Sequence, residues 1–571
     1  MLSERAKGAA VTVMMLVAWA GALAPLGCRQ EEPQPMKAPE PPEGTILLDG
    51  PAVLDKENAV YFLTTDVIAD GTAFTVETDG VTLDLGGHTV VYNARPSDEP
   101  VYGVRTVPGR VKHSLGTGVN GLTLRNGRII QGAGASKLSP AVALGGQFRT
   151  GYNIHHLDIR VHGEECVGIS ASINDSKVHH NYVESRATTK RLDGGNADAM
   201  SLSASLGGLD VYRNIIAGGH RGIKAGRVAT YGGTYLQRLG GYRRSKIHEN
   251  LIQNRRMERG VKAPYGIALW GSQMVDVFGN EVASDNARGI IFDMGAKKNS
   301  GHHNLIDVQY SRSVAEGAYV ENRVYGFRVR YRSGQCKVHH NRIFVNNGAE
   351  GAVAAVFVGS DNKDPQLDGI ELTENEIHAE GGTRGWPSEK GSAGLVLDAI
   401  DNVRIERNRI TADGCPVVIR REGENVVIDG NVLLQPARGA KWTAAVTNMK
   451  GLKFTGKNTT AETPADRTAP APPSDLQLTR HLDAVVLRWT PNEADTDVRG
   501  YIVYRDGKRL PISPRAGTFT IDLDVPKERA ATYAVSAVDF SGNEGKKCRA
   551  VSTKRAFPGW NYAAAQEEEG E

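Results

Sequence analysis

The sequence has few cysteines, few aromatic residues and almost no net charge. Its five cysteines have no C-x-x-C spacing, which removes zinc-finger and dithiol-redox proteins from consideration. Aromatic residues make up 6% of the 571 positions, and 68 basic residues nearly balance 65 acidic ones, for a formal charge of +3. This balance does not favour a nucleic-acid partner. Helical periodicity is also missing, whereas glycine is abundant at 66 residues, so a helical enzyme is not expected.

The N-terminal residues resemble a bacterial export signal. A short charged segment precedes an uncharged stretch, residues 8–27, that ends at Cys28. Leu26-Gly27-Cys28 is similar to the lipobox of bacterial lipoproteins, in which the cysteine becomes the acylated N-terminus. This resemblance implies a protein outside the cytoplasm, at the cell surface or in the periplasm, whose one membrane contact is a lipid anchor. Ordinary secretion and a single retained membrane span remain alternatives.

Composition divides the chain into two long regions and several short segments. Proline-rich stretches predict extended, semi-rigid connections, and the acidic C-terminal end predicts a disordered tail. The predicted boundaries are 1–28 for the export signal, 29–44 for a tether, 45–460 for a first domain, 461–475 for a linker, 476–555 for a second domain and 556–571 for the tail.

A short pattern recurs throughout the first domain. It reads apolar, any residue, apolar, two polar residues, asparagine, any residue, apolar, as in the segment Val178 to Val183. A second short apolar segment precedes each copy, for example Tyr265-Gly266-Ile267. The asparagines that close the copies are Asn181, Asn214, Asn250, Asn280, Asn304, Asn341, Asn375, Asn408, Asn431 and Asn458.

These repeats predict a β-solenoid in which each copy forms one coil. Short strands of period two, separated by glycine and asparagine turns without intervening helical patterns, favour this fold over a βαβ arrangement. Coils stack about 4.8 Å apart. Asparagine suits the corner because it tolerates left-handed backbone and its amide can bond the equivalent amide of the next coil. At this spacing Cys336 and Cys415 lie roughly 14 Å apart, too far for a disulfide, so we expect mostly free, buried thiols.

The repeat pattern resembles the right-handed parallel β-helix of the pectin-lyase-like superfamily. The resemblance covers about residues 45–460, and the segment Gly80 to Val90 is similar to the N-terminal coils of that family. It implies an all-β fold, a right-handed parallel β-helix followed by a β-sandwich, much more specifically than it implies an activity.

The second domain has the alternating strands of a β-sandwich. The segments Val485 to Trp489, Gly500 to Gly507 and Thr532 to Asp539 resemble a fibronectin type III module. The resemblance implies that Trp489 is the core aromatic residue and that Tyr533 occupies the tyrosine-corner position. Such a module on an exported carbohydrate enzyme would act as a spacer or an adhesive unit.

Alternation along the strands that precede the asparagine corners predicts which side chains point outward. Lys224 is flanked by Arg221 and His220, with Asp198 about one coil, roughly 5 Å, away. The side chains predicted to point inward are Ile169, Met200, Ile223, Ile267, Ile290 and Phe327. Those predicted to face solvent are Ser170, Ala199, Ser201, Ser203, Gly222, Lys224, Ala268, Trp270, Asp293, Arg328 and Arg330.

In the family that this fold resembles, long sugar polymers lie along this sheet. An indole suits sugar stacking, and arginine suits carboxylates, so the surface favours an anionic polysaccharide such as a uronate polymer. We predict a lyase in which Lys224 removes a proton beside the carboxylate-bearing carbon, with its pKa lowered by neighbouring cations. Arg221 or His220 would stabilise charge or supply the acid. The predicted catalytic residues are Lys224, Arg221, His220 and Asp198, and the predicted substrate-binding residues are Trp270, Asp293, Arg328, Arg330 and Tyr265.

Two other functions remain open. A glycoside hydrolase needs two carboxyls about 5 to 9.5 Å apart; Asp198 and Asp293 are three coils apart, whereas Asp198 and Glu165 lie on adjoining coils. Asn196-Ala197-Asp198 faintly resembles a polygalacturonase motif. A non-catalytic, carbohydrate-binding adhesin is the other alternative.

Other features of the sequence complete the predictions. No metal site is predicted; calcium is the one candidate cofactor, suggested by residues 361–364. We expect solvated turn residues in the histidine pairs, a lid or rim at 227–244, and a monomer.

Overall fold

In the computed structural model of the chain, all described residues belong to one compact unit, residues 37–571. They are 40–106, 118–187, 197–229, 242–255, 265–285, 288–309, 323–346, 352–359, 367–381, 384–385, 391–420, 424–435, 453–454, 459–462, 467–492, 495, 497–511, 514–526 and 529–558.

The first domain is a parallel β-solenoid with three walls, which confirms the predicted fold class. Every strand pairing in the solenoid is parallel, and each strand pairs with its counterparts in the coils before and after it. Strands of the first wall precede those of the second, an asparagine corner follows, and the third wall leads to the next coil. The predicted order, two short strands before each asparagine corner, is therefore the observed one, and the third wall adds a strand after the corner.

The walls have the following strands. The first wall comprises Ala52–Leu54, Phe74–Val76, Val104–Arg105, Val142–Thr150, Ile169–Asn174, Met200–Ser203, Arg221–Gly226, Tyr265–Trp270, Arg288–Asp293, Arg323–Val329, Ala352–Gly359, Arg384–Gly385, Gly391–Asp398 and Cys415–Ile419. The second wall comprises Ile46–Leu48, Val60–Leu63, Thr82–Asp84, Thr123–Gln131, Asn153–Val161, Ser176–His179, Leu209–Tyr212, Ser245–His248, Val275–Phe278, Ser300–His302, Lys337–His339, Glu371–Thr373, Arg404–Glu406, Val427–Asp429 and Lys453–Phe454. The third wall comprises Val67–Ile68, Thr89–Tyr92, Tyr182–Ser185, Ile215–Gly218, Leu251–Arg255, Glu281–Asp285, Leu305–Gln309, Arg342–Asn346, Glu376–Glu380, Arg409–Ala412, Val432–Gln435 and Thr459–Glu462, and the long strands Thr123–Gln131 and Asn153–Val161 continue into it.

The asparagine corners form one continuous ladder of side-chain amides. From Asn181 to Asn431, each Nδ2 donates to the Oδ1 of the asparagine one coil further on, at 2.9 to 3.0 Å. The same Nδ2 atoms also bond backbone carbonyls, so the buried amides have partners on both sides. The ladder confirms the predicted amide bonds; Asn458 lies outside the described residues.

The left-handed backbone of the corner belongs to the residue before each asparagine. His180, Arg213, Glu249 and His340 all have φ between 51° and 55°, whereas the asparagines that follow them do not have positive φ. The expectation that asparagine itself adopts the left-handed conformation is therefore wrong. Asparagine is needed at the corner for its amide, and the strain of positive φ falls on its neighbour.

A glycine near the start of several first-wall strands decides which side chains reach the outer face. A Cβ added at Gly266 would lie 2.2 Å from Val282 Cγ1, and one at Gly289 would lie 2.4 Å from Ile306 Cγ2, inside the solenoid. Since Gly266 and Ile267 both point inward, the alternation is broken there, and Tyr265 packs on the outer face beside Ala268. The predicted inward residues, such as Ile267, are all in the core.

The second domain consists of two four-stranded sheets, and most of their pairings are antiparallel. One sheet comprises Ser474–His481, Ala484–Thr490, Phe519–Asp522 and Phe557–Pro558, and the other comprises Val498–Arg505, Lys508–Arg509, Thr532–Asp539 and Val551–Ser552. A single 3-10 helix, Thr553–Arg555, precedes the last short strand. Trp489 lies in the core with Tyr501, as predicted, and the hydroxyl of Tyr533 donates to Asp522 Oδ2 at 2.7 Å. The assignment to fibronectin type III stays a prediction.

The sandwich packs against the third wall of the solenoid. Ala484, Val486, Phe519 and Ile521 of the sandwich share an apolar cluster with third-wall side chains such as Leu251. Buried polar bonds flank this cluster: Arg515 Nη2 lies 2.5 Å from Asp285 Oδ1, Arg499 Nη2 lies 2.5 Å from Glu380 Oε2, and Gln253 exchanges two hydrogen bonds with the backbone of Ile521. The sandwich thus lies along the solenoid and does not extend away from it as a spacer would.

The cysteines that the structure describes do not form disulfides. Cys166, Cys336 and Cys415 are free and buried, and Cys548 is free and half-buried, as expected for coils that hold cysteines apart. Within the described part of the chain, no helix is long and apolar enough to cross a membrane.

Candidate functional site

The outer face of the first wall carries an alternating row of arginine and tyrosine side chains. Arg221 pairs in register with Tyr265, and Tyr265 with Arg288. The pairing of neighbouring Ile290 and Phe327 brings Tyr325 beside Arg288 in the next coil. We call these four side chains the arginine–tyrosine row. At about 4.8 Å per coil it extends over roughly 14 Å of the wall.

Asp198 lies at one end of the row. Arg221 Nε donates to Asp198 Oδ1 at 2.5 Å, and both side chains are at most 2% exposed. The other carboxylate oxygen, Asp198 Oδ2, is buried and has no hydrogen-bond partner among the described residues. Burial raises the pKa of Asp198, whereas Arg221 and Lys224 act to lower it. The structure therefore brings together Asp198, Arg221 and Lys224 as predicted.

Lys224 and Arg221 meet at the indole of Trp270. Lys224 Nζ lies 5.3 Å from the ring centroid and Arg221 Cζ lies 4.6 Å from it. Burial, helped by the positive charges of Arg221 and Arg227, lowers the pKa of Lys224, and the carboxylate of Asp198 opposes this change. The predicted direction of the Lys224 pKa is thus confirmed, although burial is the larger cause. The indole contacts cations, a role beyond the sugar stacking expected of it.

Tyr265 lies between His220 and Arg288. Its hydroxyl accepts a hydrogen bond from Arg288 Nη1, and its ring meets the His220 ring edge to face, with centroids 6.3 Å apart. Burial alone would raise the pKa of Tyr265, but the positive charges of Arg288, Arg330 and Arg328 outweigh it and lower the pKa below its ordinary value. The residue predicted as a substrate contact therefore has the electrostatics of an activated phenol.

Two further arginines lie at the far end of the face. Arg328 Cζ is 4.4 Å from the ring centroid of Tyr325 and 5.0 Å from that of Phe357. Arg330 Nε donates to Asp293 Oδ2 at 2.9 Å, and the other oxygen of Asp293 accepts from the backbone of Met294. Asp293 therefore holds Arg330 in place.

The expectation that this face is open to solvent is wrong for several of its side chains. Arg328 is 1% exposed, Asp293 and Ala268 are 0% exposed, and Arg221 is 2% exposed. Lys224, Trp270 and Arg330 are half-buried. Strand alternation predicts on which side of a sheet a residue lies, whereas exposure depends on the packing of the whole face, which a single strand does not encode.

The hydrolase pair of Asp198 and Asp293 is separated as predicted. The strands Met200–Ser203, Arg221–Gly226, Tyr265–Trp270 and Arg288–Asp293 pair in succession, which separates the two residues by three coils, roughly 14 Å along the solenoid axis. Asp198 precedes its strand and Asp293 ends its strand, which adds to this separation. Asn196, residues 230–241 of the predicted lid and residues 361–364 of the calcium candidate lie outside the described residues. Among the described residues, no group of three or more histidine, cysteine, aspartate or glutamate side chains could hold a metal ion.

Sequence reasoning missed Arg288 and Tyr325 as parts of the site. A signal was present, because the triplet of outward residue, glycine and apolar residue recurs as Arg221-Gly222-Ile223, Tyr265-Gly266-Ile267, Arg288-Gly289-Ile290 and Tyr325-Gly326-Phe327. Strict alternation assigns the first residue of each triplet to the core. The inward glycine shifts it to the outer face.

The second histidine of each pair lies at the turn with positive φ, and His303 and His340 are exposed there, as the sequence predicted. The first histidine of each pair is not a solvated turn residue. The rings of these first histidines belong to a column of stacked aromatic rings at the end of the second wall, with centroids 4.7 to 5.2 Å apart. The column comprises His155, His179, Tyr212, His248, Phe278, His302 and His339. Burial is the main cause that lowers the pKa of His155 to about 3, of His179 to about 2 and of His339 to about 4.

Comparisons with known proteins give weak structural likenesses. No known protein family and no curated protein matches the sequence. Of 17 matching solved chains, the catalytic unit of a GH87 alpha-1,3-glucanase from Streptomyces thermodiastaticus is 11% identical, with a TM-score of 0.38, over 75% of this chain and 69% of that one. The tailspike protein of E. coli bacteriophage HK620, in complex with a pentasaccharide, is 11% identical, with a TM-score of 0.36, over 88% and 86%. A spore cortex lytic enzyme of Clostridium perfringens is 15% identical, with a TM-score of 0.14, over 22% of this chain, which spans less than half, 46%, of that enzyme's length.

Proposed function

We propose that the protein binds an acidic polysaccharide along the outer face of the first wall and cleaves it by β-elimination. The observation that carries the proposal is the charge of this face. On the described part of this face, cationic side chains outnumber carboxylates. The cations include Arg221, Lys224, Arg288, Arg328 and Arg330, and the carboxylates are Asp198 and Asp293. A cation excess on a partly buried face favours a polyanionic ligand.

The lowered pKa of Lys224 supports a lyase among enzymes that act on such a ligand. A larger fraction of its amine is neutral near pH 7 than for an ordinary lysine, as a general base requires. The amine takes the proton from the carbon next to the sugar carboxylate. The electron pair of that bond forms a carbon–carbon double bond, and the glycosidic oxygen on the adjoining carbon leaves. Arg221, next to Lys224, stabilises the negative charge that develops on the carboxylate.

The test is a screen of pectate, alginate and glycosaminoglycans with the wild type and Lys224→Ala. We expect the wild type to release unsaturated sugars, measured by ultraviolet absorbance, and the variant to lose about 10²- to 10⁴-fold in kcat because its base is gone. Lys337→Ala is the control, since Lys337 is exposed on the second wall, where it pairs with Glu371.

Each other outcome of the screen contradicts part of the proposal. Unchanged lyase activity in Lys224→Ala would remove Lys224 as the base. New reducing ends without unsaturated sugars would replace the lyase by a hydrolase. Binding without any cleavage would make the protein a carbohydrate-binding adhesin.

A further inference from the structure

The hydroxyl of Tyr265 has one hydrogen-bond partner among the described residues. That partner is the Arg288 guanidinium, which can only donate hydrogen bonds, so the phenol oxygen must be the acceptor. The hydroxyl keeps its own proton for a different acceptor. Tyr265 is 5% exposed, and a buried donor without an acceptor is costly unless a ligand provides one.

The arginines around Tyr265 make this proton easier to give away. Arg288 Cζ also lies 5.0 Å from the centroid of the Tyr265 ring, and Arg328 and Arg330 follow one coil beyond Arg288. Positive charge stabilises the phenolate that remains after proton transfer. It lowers the pKa of Tyr265 although burial acts in the opposite direction.

Tyr265 lies on the strand next to that of the proposed base, on the same face of the first wall. Arg221 connects the two: it pairs in register with Tyr265, and its guanidinium meets the same indole as Lys224. Arg221, one of the two side chains predicted as the acid, is less suited to the role. Arg221 is held by Asp198, and an arginine does not give up a proton at physiological pH.

We propose that Tyr265 is the general acid that protonates the leaving glycosidic oxygen, with Arg288 as the positioning residue. This inference rests on the proposed lyase function. In the reaction, Lys224 gains the carbon-bound proton, the carbon–carbon double bond forms as the carbon–oxygen bond breaks, and the oxygen takes the phenol proton. The Lys224 ammonium then returns a proton to the phenolate through solvent, which restores both groups.

The experiment compares two substrates. The first, called the native substrate, is the polymer among pectate, alginate and the glycosaminoglycans that the wild type cleaves fastest, and the second is a uronate with a nitrophenyl ether as the leaving group. A nitrophenolate leaves without protonation, so only the native substrate needs the acid. We expect Tyr265→Phe to lower kcat on the native substrate by about 100-fold or more and on the nitrophenyl substrate by less than tenfold, with KM little changed. Tyr504→Phe is the control, since Tyr504 lies in the sandwich, where its hydroxyl donates to Glu544; it should keep the wild-type rates on both substrates.

The experiment distinguishes a failure of the acid role of Tyr265 from a failure of the proposed lyase function. An active wild type with Tyr265→Phe impaired equally on both substrates, or on neither, would overturn the role of Tyr265 and leave the lyase intact. A wild type that yields no unsaturated product from any acidic glycan would overturn both. Melting temperatures of the two variants close to that of the wild type exclude misfolding as the cause of a loss.

Discussion

The pKa of Lys224, the proposed base, depends on the charges of individual neighbouring side chains. Asp198 is the carboxylate that raises the pKa of Lys224, against burial and the nearby arginines. Asp198 thereby sets the pH at which the amine becomes a base. It also holds Arg221 by a bond of 2.5 Å, so its two oxygens differ in role.

Asp198→Asn should therefore move the acidic limb of the lyase pH profile. Loss of the carboxylate removes a charge that favours the ammonium form, so the pKa of Lys224 falls and the base is available at lower pH. We expect a shift of about one pH unit, the effect of one charge on a neighbouring coil. The measurement is kcat/KM against pH. Asp293→Asn is the control, because Asp293 pairs with Arg330 and not with Lys224; an equal shift in both variants would contradict the assignment.

Single residues were predictable where one strand decides their position. Ile169 and Phe327 point inward as alternation required. Arg221 lies beside Asp198 because equivalent positions of successive coils stack. The positions of Arg288 and Tyr325 were not predictable by alternation. Their placement depends on glycines that must fit against the third wall, a contact between segments distant in the chain.

At the scale of structural elements, two rows of stacked side chains run along the solenoid. One is the asparagine ladder at the corner, and the other is the aromatic column at the end of the second wall. The asparagine ladder runs within the protein, and each amide is satisfied by the next coil. The aromatic column beside it contains five histidines among its seven rings. Neutral imidazoles stack as well as phenyl rings do, but protonated ones repel one another and are poorly solvated there.

The histidines of the aromatic column should make the stability of the solenoid decrease at acidic pH. The unfolded chain has histidine pKa values near 6.5, whereas in the fold that of His179 is about 2 and that of His155 about 3. The unfolded state therefore binds more protons below about pH 6.5, and the free energy of unfolding falls as the pH falls from there toward 4. Each such histidine lowers the free energy of unfolding by up to about 1.4 kcal/mol for each pH unit of acidification.

His179→Phe should weaken this dependence without breaking the stack, because Phe278 already occupies an equivalent position in the column. We expect a small loss of stability at pH 7.5, from the hydrogen bond between His179 Nε2 and Asn153, and a relative gain below pH 5. Urea unfolding at several pH values measures both. The reciprocal variant Phe278→His should steepen the dependence, and parallel curves for all three proteins would refute the explanation.

At the scale of the whole molecule, the sandwich and the solenoid share buried charges. Arg515 is 1% exposed and lies between Asp285 and Asp307 of the third wall. Burial raises the pKa of Asp307, and the positive charge of Arg515 acts against this change. The two domains should therefore unfold together.

Arg515→Ala should destabilise the whole molecule, because it leaves two buried carboxylates without their cation. Breaking a buried ion pair in this way costs about 3–5 kcal/mol. The measurement is the free energy of unfolding from urea titration, with Arg529→Ala as the control. Arg529 is 70% exposed and pairs with Asp506 inside the sandwich, so its loss should cost less than about 1 kcal/mol. Equal small losses in both variants would show that the domains are not coupled through Arg515.

Some predictions concern parts of the chain outside the described residues. The export signal, the lipid anchor and the tether fall within residues 1–39, apart from the last residues of the tether, and they stay predictions. The monomer and the absence of a nucleic-acid partner are likewise predictions from composition.

The sequence by itself determined the solenoid, its coil length, its asparagine corners and the stacking of Lys224 near Asp198, because these follow from local periodicity and a repeated corner residue. The tertiary structure alone decided three things: the burial of the charged face, the arginine–tyrosine row, and the docking of the sandwich on the third wall. Each depends on contacts between segments far apart in the chain, such as Gly266 with Val282 or Arg515 with Asp285. No local pattern encodes those contacts.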